Sequence, residues 1–180
     1  MIKQLILSFF ILSFTVFSNH VFAQPKNNDA NKTYLSFMDG DAKVLEGLVS
    51  RSDIEKDSSF KWFQQNYNLG QADANAVKVF QQNGSKFQMI IFLGTWCEDT
   101  HNLLPVFFRL VDKSNYPADN ITLIGVKPDK TTLDNLHKAF NIIDVPTFIV
   151  MKDGKEIGRV VEYGESGQID KELGKIVEGL

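Results

Sequence analysis

The sequence predicts an α/β protein with a central mixed β-sheet flanked by helices and preceded by an N-terminal extension. Three observations carry that reading. Two largely apolar stretches, Phe87 to Leu93 with its continuous run Met89 to Leu93, and Ile121 to Val126, have the length and composition of buried strands. A segment with helical apolar spacing follows each of them, as a βαβ unit requires. Asp153-Gly154 then joins two further strand-like stretches, and an Asp-Gly pair between strands is a hairpin signal.

The elements follow in order. "MIKQLILSFFILSFTVFSNHVFAQ" opens with Lys3, continues through the apolar run Leu5 to Phe17, and ends with Val21 and Ala23 at the −3 and −1 positions of a small-residue cleavage site. It is expected to be a secretory signal peptide over residues 1–23, with a mature start at Gln24. The alternative is an uncleaved anchor, for which the run is short against the ~20 residues of a span. Residues 24–52 are expected to be a leader and N-terminal extension, partly disordered, with "QPKNNDANK" polar throughout. Tyr34 to Arg51 is ambiguous, and "KVLEGLVSR" within it has the β-branched character of a strand. The folded domain is expected over residues 53–180.

Within that domain, Asp53 or Asp57 can cap a helix through "SSFKWFQQNY", and Ala72 to Gln82 reads as a second helix closed by Asn83-Gly84. After the Phe87 to Leu93 strand, Leu103, Leu104, Phe107, Phe108 and Val111 recur at helical spacing within 98–114. Thr131 to Phe140 is expected to be a helix. Pro146 to Met151 and Glu156 to Glu162 form the hairpin, and Ser166 to Val177 the closing helix.

Composition excludes several functions. Hydrophobic residues make up 43% of the chain and charged residues 23%, which suits a packed core rather than disorder. The formal net charge is −3 and no basic stripe is present, so nucleic-acid binding, which needs clustered cations, is not expected. No membrane association is expected once the signal peptide is removed. His101 and His137 have no acidic cluster beside them, so no metal or other cofactor is expected, and a solvated face is the favoured reading for both.

Cys97 is the only cysteine. No internal disulfide can form, and the thiol is either buried as a small hydrophobe or kept for chemistry with another molecule. Its position favours chemistry. The turn from a strand into a helix presents unpaired backbone N–H groups, which stabilise a thiolate by about 0.3–1 kcal/mol. Thr100, one turn on, has a hydroxyl able to donate to the sulfur. Glu98 and Asp99 oppose the negative charge.

Three motifs together resemble the thioredoxin-like superfamily. "WCEDT" matches its Trp-Cys-x-x-Cys with the second cysteine replaced by Thr100, Pro105 falls where the family has a helix-kinking proline, and "DVPTFIVMKDGKEIGRV" matches its cis-proline segment and terminal hairpin. The match covers about residues 86–180. The preceding region, including Trp62, is similar to the extensions of secreted bacterial members. The resemblance implies a thioredoxin-like fold with Cys97 as attacking thiol, Pro146 cis, the Val145 backbone free to pair with a substrate strand, and Trp96 as one wall of the groove. It also implies a periplasmic or secreted oxidoreductase of thiol-disulfide exchange. The expected partners are a disulfide- or thiol-bearing protein or small-molecule substrate and an external resolving thiol, because Thr100 cannot clear a mixed disulfide. The family's buried aspartate and its lysine on the next strand are replaced by Ile91 and Gly125. That departure keeps open a second class, a redox-inactive peptide-binding module. A peroxide-reducing thiol is disfavoured, because the threonine it needs three residues before the cysteine is Gly94.

Overall fold

The structure, a computed structural model, describes residues 33–180. The expected signal peptide and the leader up to Lys32 lie outside the described residues. Among the described residues, no helix is long and apolar enough to cross a membrane.

Six strands form one sheet in the order β1-β2-β4-β3-β5-β6. They are β1 (Tyr34–Asp39), β2 (Ala42–Val49), β3 (Gln88–Leu93), β4 (Ile121–Gly125), β5 (Thr147–Lys152) and β6 (Lys155–Val161). β3 and β4 are parallel, and every other neighbouring pair is antiparallel. The sheet is therefore mixed, with the parallel pair at its centre. The segment expected as an extension supplies β1 and β2. Its ambiguity in the sequence has a physical source: β1 is an edge strand exposed along most of its length, so no apolar alternation marks it.

Both hairpins turn on an Asp-Gly pair, but in different registers. In β5–β6, Asp153 and Gly154 are the two loop residues, with φ of 50° and 74°, as a type I′ turn requires. In β1–β2, Asp39 is already paired with Ala42, so Gly40 and Asp41 form the loop and Gly40 has φ of 57°. Glycine at the first loop position is the type II′ preference.

Among the described residues six helices flank the sheet: α1 (Arg51–Glu55), α2 (Lys61–Leu69), α3 (Ala74–Asn83), α4 (Glu98–Ser114), α5 (Leu136–Ala139) and α6 (Ile169–Val177). Of the two capping aspartates anticipated, Asp53 closes a capping box with Ser50 on α1. Asp57 caps the 3-10 turn Ser58–Phe60 that leads into α2. α4 is the longest helix. Glu98 and Asp99 suit the positive end of its dipole and Lys113 the negative end, while Asn115 ends it in the left-handed region. Leu104, Phe107, Phe108 and Leu110 of α4 pack with Phe63 of α2, Phe80 of α3 and Leu173 of α6 into the main core on one sheet face.

The other face has a smaller core of Phe92, Ile124, Val126, Ile142, Val145 and Ile149, with Leu136 and Phe140 packed against it. The continuous helix expected over Thr131 to Phe140 is not what covers it. A 3-10 turn, Leu133–Asn135, precedes the single turn of α5, because Asp134 and Asn135 both take φ of 56°. Asp and Asn tolerate that left-handed conformation and interrupt the helical hydrogen-bond ladder.

Candidate functional site

β3 ends at Leu93 and the chain turns through Gly94, Thr95 and Trp96 to Cys97, the N-cap of α4. The turn closes with the Cys97 N–H on the Gly94 carbonyl at 3.0 Å, and the Cys97 carbonyl accepts the His101 N–H at 3.1 Å, the first helical bond. Gly94 is needed for a steric reason. A Cβ there would lie 2.7–2.9 Å from the Trp96 indole, which folds back over it. The indole N–H donates to the Val126 carbonyl at 2.9 Å, fixing the ring beside the cysteine.

The Cys97 side chain is half-buried, and its S–H donates to the Val145 carbonyl at 3.3 Å. The Val145–Pro146 peptide is cis. The loop holding it is tied down at three points. The Thr147 hydroxyl donates to the Asp144 carbonyl at 2.6 Å, the Glu162 N–H donates to the Pro146 carbonyl at 2.7 Å, and Asp144 forms an ion pair with Lys130. That carboxylate, with Glu162 and Cys97 also in electrostatic range, keeps the Lys130 ammonium above the usual lysine range. Cys97, Trp96, Val145 and Pro146 thus meet at one place. The Val145 carbonyl is not free, however, because the thiol occupies it.

Thr100 lies elsewhere in the turn. It is fully buried, and its hydroxyl oxygen accepts the Gly94 N–H at 3.2 Å rather than serving the sulfur. The strand-to-helix turn leaves Gly94 N–H without a ladder partner, and Thr100, in the first turn of α4, is the side chain that reaches back to it. The two departures from the family pattern also have structural explanations. Ile91 is fully buried in the main core. A Cβ at Gly125 would lie 2.1 Å from the Leu45 carbonyl, so the close approach of β2 admits only glycine. The strand from the N-terminal segment leaves no room for a side chain at position 125.

That same strand holds the cysteine turn. The buried Thr95 hydroxyl donates to the Lys43 carbonyl at 2.8 Å and accepts the Leu45 N–H at 3.1 Å. His101 is half-buried rather than on the solvated face expected for it. Its Nε2 lies 2.8 Å from the Thr95 carbonyl, and its ring stacks on Trp62 at 4.3 Å with 19° between planes. His137 bonds locally to Thr132. Thr95, Lys130 and Asp144 escaped the sequence reading. A lone threonine between an apolar strand and Trp-Cys was the available signal for Thr95. Lys130 and Asp144 become neighbours only through the fold.

A thioredoxin family model matches residues 69–175. Thioredoxin H2 of Arabidopsis thaliana is 27% identical over 95 residues, which are 53% of this chain and 66% of the relative, so the chain spans slightly under two thirds of it. A thioredoxin of Echinococcus granulosus is 30% identical over 97 residues, 54% of this chain and 84% of the relative. Among solved structures, oxidised thioredoxin O2 from Arabidopsis thaliana aligns at a TM-score of 0.38 and 24% identity, covering 59% of this chain and 84% of that one. With its sheet order, its strand-to-helix cysteine and more than half its length matched, the chain belongs to the thioredoxin family.

Proposed function

We propose that the protein performs thiol-disulfide exchange through Cys97 on exported proteins or small disulfides, with an external thiol completing each turnover. The observation that carries this reading is the position of the sulfur. It is half-buried at the start of a long helix and hydrogen-bonded to Val145 in the neighbouring loop. In the reaction the Cys97 thiolate attacks one sulfur of the substrate disulfide. A bond forms to that sulfur, the substrate S–S bond breaks, and the other sulfur leaves as a thiolate that takes a proton from water. Loss of the Cys97 proton also removes the only donor of the S–H bond to Val145. Ionisation therefore releases a backbone acceptor for an incoming substrate strand at the moment the nucleophile forms.

Thr100 cannot attack the mixed disulfide, and its oxygen is committed to Gly94. An external thiolate must attack instead: it bonds to the substrate sulfur, the Cys97–substrate bond breaks, Cys97 leaves as a thiolate, and a second external thiol then frees the substrate as thiol, the two external thiols ending joined as a disulfide. The test is trapping in thiol-blocked extract on a non-reducing gel. Wild type should show reducible higher-mass adducts and Cys97→Ser none. Adducts that persist in Cys97→Ser would overturn the assignment.

Export to a periplasmic or extracellular compartment is part of the proposal and rests on the N-terminal sequence. Mass spectrometry should find the mature chain starting at Gln24, and retention of residues 1–23 would remove it. A second reading, a redox-inactive peptide-binding module, draws on the Ile91 and Gly125 packing, which leaves no proton relay at those two positions. If Cys97 in the folded protein resists both an alkylating agent and a disulfide probe, and reacts with both after unfolding, that second reading holds.

A further inference from the structure

A cleft of about 500 Å³ lies on the N-terminal side of the cysteine turn. Thr95, Trp96 and His101 form its inner wall. Its outer wall is β1, the β1–β2 loop, β2, the turn before α2 and the start of α2, through Met38, Asp41, Lys43, Phe60 and Trp62. All of the outer wall precedes residue 69, where the family match begins. The cleft is therefore a feature of this chain's own N-terminal segment, sharing Trp96 with the nucleophile's turn.

Its chemistry is specific. Trp62 and Trp96 give it aromatic surface above the buried Phe60, and Trp62 is held in place by Phe60, Phe63 and the stacked His101. Its lysine, Lys43, is already neutralised by an ion pair with Asp57 at 2.5 Å. The lining carboxylate, Asp41, has no hydrogen-bond or ion-pair partner among the described residues. Glu98 and Asp99, which follow Cys97 directly, have none either. An aromatic cleft whose lining carries the unpaired carboxylate of Asp41, with Glu98 one helical turn before the lining His101, complements a cation attached to an apolar or aromatic group.

We propose that this cleft is a substrate subsite for basic peptides, receiving an aromatic side chain and an adjacent arginine or lysine that flank the substrate's cysteine. The aromatic ring enters among Phe60, Trp62 and Trp96. The cationic group meets Asp41 and the acidic start of α4. An acidic peptide meets like charge there and is rejected. The subsite deepens the thiol-exchange reading by naming its substrate class, and non-covalent binding tests it independently of the thiol chemistry.

The molecule carries its own reporter, because Trp62 and Trp96 are its only tryptophans and both line the cleft. Cys97→Ser protein is titrated with a tryptophan-free peptide containing phenylalanine, arginine and a serine in place of cysteine, and with a counterpart carrying glutamate for arginine. The basic peptide should change the tryptophan fluorescence saturably, and the acidic one should bind more weakly by about fivefold or more. Raised salt should narrow the difference. Asp41→Asn, at an exposed turn position without a partner, should shrink the preference without disturbing the core. Trp62→Ala should weaken the basic peptide. No saturable response, equal response to both peptides, or a preference that survives in Asp41→Asn at full size would overturn the subsite. In parallel, wild type is mixed with the cysteine form of each peptide activated as a mixed disulfide with 2-thiopyridine, and release of thiopyridone is followed. Cys97 sulfur bonds to the peptide sulfur, and the thiopyridine leaves. Release without discrimination between peptides removes the subsite and keeps thiol exchange. Discriminating binding without any release keeps the subsite and removes thiol exchange.

Discussion

The cysteine turn is held between two walls of different origin. On the C-terminal side, the loop at Val145 and Pro146 reaches the sulfur itself through one S–H bond of 3.3 Å. On the N-terminal side, nothing described bonds to the sulfur. There β2 grips Thr95, two residues earlier, with two hydrogen bonds, and Trp62 stacks on His101, four residues later. The first wall lies inside the family match and the second largely outside it. The difference separates two tasks. The family wall meets the reacting atom. The added wall positions the segment that bears it, and in doing so approaches Gly125 so closely that no side chain fits there.

Breaking the added wall at its tightest point should have the largest effect. Gly125→Lys introduces the residue that the sequence resemblance implies, but its Cβ would lie 2.1 Å from the Leu45 carbonyl, and backbone cannot yield cheaply. The substitution should destabilise the fold by about 3 kcal/mol or more, read as a lower urea midpoint. Unchanged stability would mean that β2 is easily displaced and that the second wall is not a wall.

Thr95→Val removes both bonds of the clamp while keeping the side chain's size. It leaves the Leu45 N–H and the Lys43 carbonyl without this partner, at a cost of about 1–3 kcal/mol. Equilibrium denaturation measures it. The rate of Cys97 alkylation in the folded state shows whether the clamp also sets thiol access, and it should rise as the turn loosens.

Thr100→Cys sharpens the comparison from the family side. The new thiol sits one turn from Cys97 at a fully buried position, and it sacrifices the bond from Gly94 at about 1 kcal/mol. An intramolecular disulfide should form, and disulfide-reductase turnover with dithiothreitol should exceed wild type. Full family activity is not expected, because Ile91 and Gly125 supply no proton relay. A variant that forms no disulfide under oxidising conditions would show that the N-terminal wall has moved the turn out of the geometry the dithiol needs.

The smallest effect lies at the far end of the same wall. Arg51 of α1 makes two hydrogen bonds to Asp112 of α4, at 2.6 and 2.8 Å, and Tyr67 donates to Asp112 at 2.6 Å. Burial raises the Asp112 pKa, but the bonds from Arg51 and Tyr67 outweigh it and hold the carboxyl below its usual range. A carboxyl depressed in the folded state adds stability above its unfolded pKa, and that stability is lost as pH falls through the folded value. Wild type should therefore lose stability in mild to strong acid more steeply than Asp112→Asn. Parallel stability-versus-pH curves for the two proteins would detach this contact from the anchoring of α1.

Much of this arrangement was legible along the chain because it depends on neighbours. Apolar runs marked β3 and β4, helical spacing marked α4, the Asp-Gly pair marked the β5–β6 turn, and the strand-to-helix junction put Cys97 at a helix start. Each signal arises from residues a few positions apart, where backbone geometry ties sequence period to structure. The interrupted segment at Asp134 and Asn135 shows the limit of that logic, since apolar spacing alone concealed two left-handed residues. Other features were decided only by tertiary structure. Thr95 meets β2 some fifty residues away, Gly125 is glycine because Leu45 approaches it, and His101 is partly covered because Trp62 stacks on it. The Thr100 hydroxyl turned to a backbone N–H that the turn had left unpaired. Periodicity reports which face of an element is apolar. It does not report which distant strand will cover that face, and that contact determines what a threonine, a histidine or a glycine beside Cys97 does.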